Sequence, residues 1–290
     1  MNFNKICLGT ANIGDNYGLE NKRKINDKDI KKIFKYLIKK KINFIDTAFS
    51  YKNSHRTIKN NFSSNFKIIT KLPIPNKNIK NISQWIIKKV VKEQIYFNNQ
   101  IDILLLHNTK MLRKKRIEIE TFNALEFLKK NKIINKVGLS VYYPSELDKW
   151  INRFRFDAVE LPINIFNREF ETTGWLKKLK KKKINIIARS IFLKGLLLKS
   201  DYNKFKAFKP WFKHFQIFDF WTQNMKISRL EASVRFIKSY KEIDLIIFGI
   251  RNFNQLKEIC KIIKKKPIKV PDNISVKNRK LTNPKNWAIS

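Results

Sequence analysis

Four ionisable side chains stand at or just past the ends of short apolar runs: Asp46, Tyr51, Lys71 and His107. Asp46 closes the apolar run in INFIDTAFSY (42–51), and Tyr51 follows five residues later. Lys71 lies at the close of FKIITKL (66–72), and His107 ends IDILLLH (101–107). Together they can make a proton-donating site. Reducing a carbonyl needs a hydride at carbon and a proton at oxygen. A free tyrosine, pKa about 10, donates poorly at neutral pH. An ammonium beside it stabilises the phenolate. A carboxylate such as Asp46 can keep that ammonium charged, and a histidine such as His107 can bind and orient the carbonyl oxygen. Taken singly, each has a structural reading. Asp46 and Lys71 can be an ion pair between strands, Tyr51 a packed loop residue, and His107 an inert strand-end histidine, one of 3 in the chain. Their joint placement after successive apolar runs favours the chemistry.

Such a site needs elements that bring the run ends together. Eight short apolar runs read as strands: 5–9, 43–48, 67–72, 102–107, 136–141, 158–164, 185–191 and 244–250. Each is bounded by polar residues, as buried parallel strands are. Helical patterns lie between them. One opens at Asn26-Asp27, with Ile30, Ile33, Phe34 and Leu37 on one face; a second is capped by Ser83; a third holds Asn123 to Leu128. Others begin at Pro144-Ser145, at LKKLKKK after the sixth strand, at Ser228 and at Asn254. Strands and helices in alternation predict an α/β fold, a (β/α)8 barrel with a closed parallel sheet. The chain's 290 residues suit one such domain. An open doubly wound sheet is the alternative, but no G-x-G-x-x-G follows the first strand. Barrel chemistry sits at the C-terminal rim, where the four residues fall. The aromatic-rich stretch 196–225 reads as a long loop over that rim, either a substrate lid or packing for the barrel. The polar tail 267–290 either crosses the rim or frays.

The net charge is +40. It can signal an anionic partner, or it can be compositional, since lysines are spread over nearly every predicted helix and gather in no stripe with interleaved aromatics. The compositional reading is preferred, and no specific nucleic-acid partner is expected. No run of 18 uncharged apolar residues occurs, so no membrane span is expected. The N-terminus reads as no secretory signal. Cys7 and Cys260 are the 2 cysteines and lack metal-site spacing. A cytoplasmic protein without a metal is the expectation.

The chain resembles the aldo-keto reductase superfamily, most of all its short bacterial members. The family's D-T-A-x-x-Y-G segment is matched by DTAFSYK (46–52), its lysine by Lys71 in ITKL and its histidine by His107 in LLLH. GLS (138–140), LPIN (161–164), ARSIFLKGLL (188–197), FGIRNFNQ (248–255) and an early Asn16-Tyr17-Gly18 also look like family segments. The resemblance implies reduction of an aldehyde or ketone, a keto-sugar among the candidates, with Tyr51 as proton donor. It implies NADPH, or NADH, bound in extended form. Gly9, Thr10 and Asp46 would lie near the cofactor, and Ser140, Glu160 and Arg189 at its nicotinamide. Ser190, Leu193 and Gly195 would cross the pyrophosphate. Gly249, Arg251, Asn254 and Gln255 would lie by the adenosine phosphate, with Arg251 pairing a 2′-phosphate. Several positions depart from the family. Val141 stands where an asparagine is usual, Glu160 where a glutamine is, and Arg189 where an aromatic is. Lys52 replaces a glycine, and His55 an acid. A glutamate accepts hydrogen bonds and donates only when protonated. A cofactor-binding regulatory barrel with little turnover is therefore the alternative function.

Overall fold

The structure is a computed structural model and describes residues 3–13, 19, 25–76, 79–98, 101–112 and 114–287. Asn16, Tyr17, Gly18 and the side chain of Lys52 lie outside the described residues. The chain order is β1 (Ile6–Gly9), α1 (Asp27–Lys39), β2 (Phe44–Asp46), α2 (Lys52–Asn60), β3 (Lys67–Leu72), α3 (Ile82–Gln94), β4 (Ile101–Leu106), α4 (Lys115–Lys130), β5 (Ile134–Ser140), α5 (Pro144–Trp150), β6 (Ala158–Pro162), α6 (Glu169–Thr172), α7 (Trp175–Lys181), β7 (Asn185–Arg189), α8 (Phe212–Asn224), α9 (Arg229–Ile237), β8 (Leu245–Gly249), α10 (Phe253–Ile262) and α11 (Arg279–Thr282). The eight strands pair in sequence order, all parallel, and β1 closes on β8 with Ile6 opposite Ile246. This is the (β/α)8 barrel the sequence pattern predicts.

Strand alternation divides the apolar residues into two cores. One set, including Leu8, Ile45, Ile68, Leu104, Leu106, Val159 and Ile186, packs outward under the helices. The other, Cys7, Ile69, Ile103, Leu105, Ala158, Ile187, Leu245 and Ile247 with Phe44, fills the barrel interior. The helices supply the matching stripes. α1 buries Ile30, Ile33, Phe34 and Leu37, the face read from the sequence, and the Asn26 side chain accepts from the Asp29 N–H at 2.8 Å. The cap of α3 differs from expectation. Asn81 accepts from the Gln84 N–H at 2.8 Å, which leaves Ser83 inside the helix. An Asx side chain two residues earlier takes the orphan N–H first.

The stretch 196–225, expected as a loop, contains α8 preceded by 3-10 turns at Tyr202–Lys204 and Lys206–Trp211. Several of its aromatics pack inward, while Phe220 is exposed. Phe208, Phe215 and Phe218 are buried, and Phe215 meets Phe166 at 5.0 Å and Tyr202 at 4.5 Å between ring centres. Residues 267–287 run over the rim. Arg168, after β6, donates to the carbonyls of Val270 and Pro271, the Val276 N–H donates to Phe166 O, and the Trp287 ring lies 4.9 Å from that of Phe208. Among the described residues no helix is long and apolar enough to cross a membrane.

The interior tolerates little added volume. A Cβ on Gly138 of β5 would come within 2.3 Å of the Ala158 carbonyl oxygen on β6 and 2.6 Å of Leu105. Gly138→Ala is therefore expected to destabilise the fold by about 1–3 kcal/mol through overpacking, read as a lowered urea midpoint at unchanged m-value.

Candidate active site

Two residues beyond each inward apolar position, every strand presents its last inward residue at the C-terminal rim. Phe44 gives way to Asp46, Ile69 to Lys71, Leu105 to His107, Ala158 to Glu160 and Ile187 to Arg189. On β5 the position is Ser140, and β1 and β8 end in Gly9 and Gly249, which face each other in register. The result is a polar mouth on an apolar plug. The cleft above it offers about 980 Å³ of open space up to its mouth. Asp46, Tyr51, Lys71 and His107 all line it.

Tyr51 comes from the turn between β2 and α2. That turn is fixed by backbone bonds across to β3, Thr47 N–H to Ile69 O at 2.8 Å and Phe49 N–H to Lys71 O at 3.2 Å, and by Tyr51 N–H to Ala48 O at 2.8 Å. Ser54 of α2 ties the same segment to the end of β1 by donating to Thr10 O at 2.8 Å. His55, one turn after Tyr51, is buried against Phe49, Tyr96 and Phe97 and pairs with Glu93 at 3.0 Å.

Lys71 is buried and lies between two carboxylates. Its ammonium donates to Asp46 Oδ1 and to Thr47 O at 3.1 Å, and it stands 3.1 Å from Glu160 Oε2. Burial works against its charge, but Asp46 and Glu160 overcome this and push its pKa up. The Tyr51 phenol acts on it in the same sense. The carboxylates respond in opposite directions. Burial, reinforced by Glu160, pushes Asp46 up to about 7 against the pull of Lys71. Glu160 resists burial better, because Lys71, Arg189 and the Ser140 hydroxyl hold it below the ordinary carboxylate range.

Glu160 and Arg189, read from the sequence as two separate departures, are partners. Arg189 Nε lies 3.0 Å from Glu160 Oε1, which also accepts from Ser140 Oγ at 2.8 Å. The guanidinium donates further to Val141 O at 2.9 Å and lies over the Tyr142 ring, 4.3 Å from its centre. An ionised glutamate in the barrel mouth needs such a cation. Glu160 Oε2 is buried with no hydrogen bond, the Lys71 ammonium being out of line for one. Glu160 is also one of the residues that line the cleft. His107 is neutral at physiological pH. Burial and the charge of Lys71 push it down to about 4, with Lys285 and Arg189 adding to the effect and Glu160 opposing it.

Beyond β7 the backbone enters the left-handed region at Ser190 (φ 59°), Leu193 (φ 47°), Lys194 (φ 52°) and Gly195 (φ 91°). Gly195 is needed there. Besides its φ, a Cβ would come within 2.9 Å of the Arg251 guanidinium. Ser190, Gly195, Gly249, Arg251 and Gln255 line the cleft with Gly9, Ser140, Glu160 and Arg189. Thr10, Leu193 and Asn254 do not. Thr10 grips Asp46 O through its N–H and hydroxyl at 3.0 and 2.9 Å, Leu193 is buried in the core, and Asn254 is exposed on α10. Sequence reasoning missed Asn12, Tyr142, Phe192 and Lys194, which also line the cleft. The pair Tyr142-Tyr143 just past β5 was the readable signal. Among the described residues no His, Cys, Asp and Glu cluster could hold a metal.

The charge network predicts a titration. With Glu160→Gln, a negative charge beside Asp46 is lost, so ionisation of Asp46 becomes easier. Its carboxyl, followed by ¹³C NMR, is expected to titrate near 7 in the parent protein and lower in the variant. An unmoved midpoint would rule out the coupling.

Comparison with known proteins follows the same line. The model of the Aldo/keto reductase family matches residues 5–274. Among solved structures, the aldo-keto reductase AKR11C1 from Bacillus halodurans (holo form) superposes with a TM-score of 0.75 at 15% identity, covering 91% of this chain and 88% of that one. The glycerol dehydrogenase AKR11B4 from Gluconobacter oxydans superposes with a TM-score of 0.70 at 20% identity, with 91% and 88% covered. A comparison with curated proteins finds no match. A closed barrel of this order, with a polar mouth and a family match over most of its length, places the chain in the aldo/keto reductase family.

Proposed function

We propose that the chain is an NADPH-dependent reductase of an aldehyde or ketone, with Tyr51 as proton donor. Aldo/keto reductases use nicotinamide cofactors on small carbonyl substrates. The observation that carries the finer reading is the convergence of Tyr51, Lys71, Asp46 and His107 on one cleft. The cleft suits a nicotinamide cofactor. Glu160 Oε2 is a buried acceptor with no hydrogen bond, Ser140 donates to the same carboxylate, and Gly195 and Gly249 put no side chain on the cleft wall at their positions after β7 and at the end of β8. Gly9, Ser140, Glu160 and Arg189 would hold the nicotinamide end, and Ser190, Gly195, Arg251 and Gln255 the phosphate end. When bound, the reduced cofactor supplies the hydride.

The protein's part is the proton and the field around it. Tyr51 donates its phenolic proton to the carbonyl oxygen as negative charge grows there. Lys71, held charged by Asp46 and Glu160, stabilises the phenolate left behind. His107, neutral because burial and Lys71 depress its pKa to about 4, offers a ring N–H to the same oxygen without adding a full charge.

Two measurements test this reading. Tyr51→Phe should keep cofactor binding, read by fluorescence quenching, while kcat falls by about 10²–10⁴-fold. A variant that turns over like the parent, or a parent that binds neither nicotinamide cofactor, would end the proposal. Arg251→Gln should weaken NADPH by about tenfold or more through loss of a charged pair with the 2′-phosphate, leaving NADH nearly unchanged. Equal losses for both cofactors would remove Arg251 from that role.

A further inference from the structure

A second groove opens beside the cleft at the same rim. It has about 1150 Å³ of open space up to its mouth, between the loops after β4 and β5, α5 and the turn at 283–286. Tyr142 lines both cavities, so the two are neighbours across that ring. Lysines cover every face of this chain, and their number in the groove decides nothing; their pairing and position do. Lys110, Lys149 and Lys285 line it and make no ion pair among the described residues. The one carboxylate among the described residues that line the groove, Glu146, is spent on internal bonds. It accepts from the Thr109 hydroxyl at 2.6 Å and from the Tyr142 and Tyr143 N–H groups at 2.6 and 3.0 Å.

Lys285 occupies the junction. Its ammonium lies 4.1 Å from the centre of the Tyr142 ring, the ring that Arg189 also covers. Its charge reaches His107 inside the cleft. Lys71 is balanced by Asp46 and Glu160, and Arg189 by Glu160, whereas Lys285 brings a charge that no carboxylate of the described residues offsets. Asn283 holds the turn by donating to the Tyr143 hydroxyl at 2.6 Å. Aromatic faces, amide groups and unpaired ammonium groups next to a carbonyl-binding cleft are the chemistry that receives an anionic, polar tail.

We propose that this groove is a subsite for an acidic tail of the carbonyl substrate, a phosphate or a carboxylate carried beyond the reacting carbon, and that Lys285 is the residue that selects it. The inference rests on the reductase reading above for the position of the carbonyl.

The test compares matched pairs of substrates: glyceraldehyde 3-phosphate against glyceraldehyde, and succinic semialdehyde against butanal. The parent protein is expected to favour a charged member in kcat/KM, and Lys285→Gln to lower that preference about tenfold, the loss of one charge-assisted contact. Lys178→Gln on the outer helix α7 controls for bulk charge and should leave the preference as in the parent. A preference in the phosphate pair alone, or the carboxylate pair alone, supports the subsite and names its ligand. No preference in the parent, or one that survives Lys285→Gln, overturns it. A second readout needs no turnover. The His107 imidazole, followed by proton NMR, should titrate higher when inorganic phosphate is added to the parent protein, and not in Lys285→Gln. If no carbonyl is reduced at all, the reductase reading falls, while this titration still decides the groove: a raised midpoint that depends on Lys285 supports it, and an unmoved one overturns it.

Discussion

Lys71 is an ammonium held out of water, and the architecture of the barrel mouth follows from that burial. Removing such a charge from solvent costs several kcal/mol unless its donors are met. Two oxygens meet them here, on Asp46 and on the Thr47 backbone, and Glu160 Oε2 stands 3.1 Å away as a second counter-charge. Two carboxylates around one ammonium leave an excess negative charge. It is offset in two ways: Arg189 joins Glu160, and Asp46 is pushed up to about 7 so that it carries a proton more readily. Each of these residues ends or nearly ends a different strand, so closure of the sheet is itself a condition for the charge to be tolerated. Opening any strand pair at the rim would strand a charge.

The alternation along the strands explains why the site and the core do not interfere. Inward positions are apolar in the lower layer and polar in the upper one, a shift of two residues on each strand. A one-residue slip would send Asp46, Lys71 and Glu160 outward beneath the helices and bring Ile45, Thr70 and Val159 into the mouth. Register is therefore set by electrostatics as well as by hydrophobic burial. The Gly138 contact with Ala158 adds a steric check at the same level of the barrel.

Much of this was legible in the sequence, and what was not has physical reasons. Short apolar runs with polar ends marked all eight strands, because a buried parallel strand must be apolar on both faces until it reaches the rim. Asp46, Lys71 and His107 stood out as the first polar residues after such runs. α2 was hidden because KNSHRTIKN has no apolar stripe; among the described residues its buried side chains are Ser54, His55 and Ile58. α8 was hidden for the opposite reason, since aromatics in FKHFQIFDFWTQN face the core and solvent alike, with Phe218 buried and Phe220 exposed. The pairing of Glu160 with Arg189 spans two strands, and no periodicity reports a contact across strands. Each departure alone looked like damage to a nicotinamide site. Paired, they keep the region near neutral charge while leaving one acceptor oxygen open.

The same local accounting gives the net charge of +40 its meaning. Exposed charges more than a Debye length apart, about 8 Å at physiological salt, are largely screened from one another. Most of the 63 basic residues therefore act on a ligand only as a diffuse attraction during approach. Inside the mouth the solvent no longer screens, and the count that matters is the one among Lys71, Arg189, Asp46 and Glu160, which comes close to balance. An acidic ligand gains little from charges already paired. It gains from one placed at the rim with no carboxylate partner among the described residues, as the exposed Lys285 is, against the Tyr142 ring.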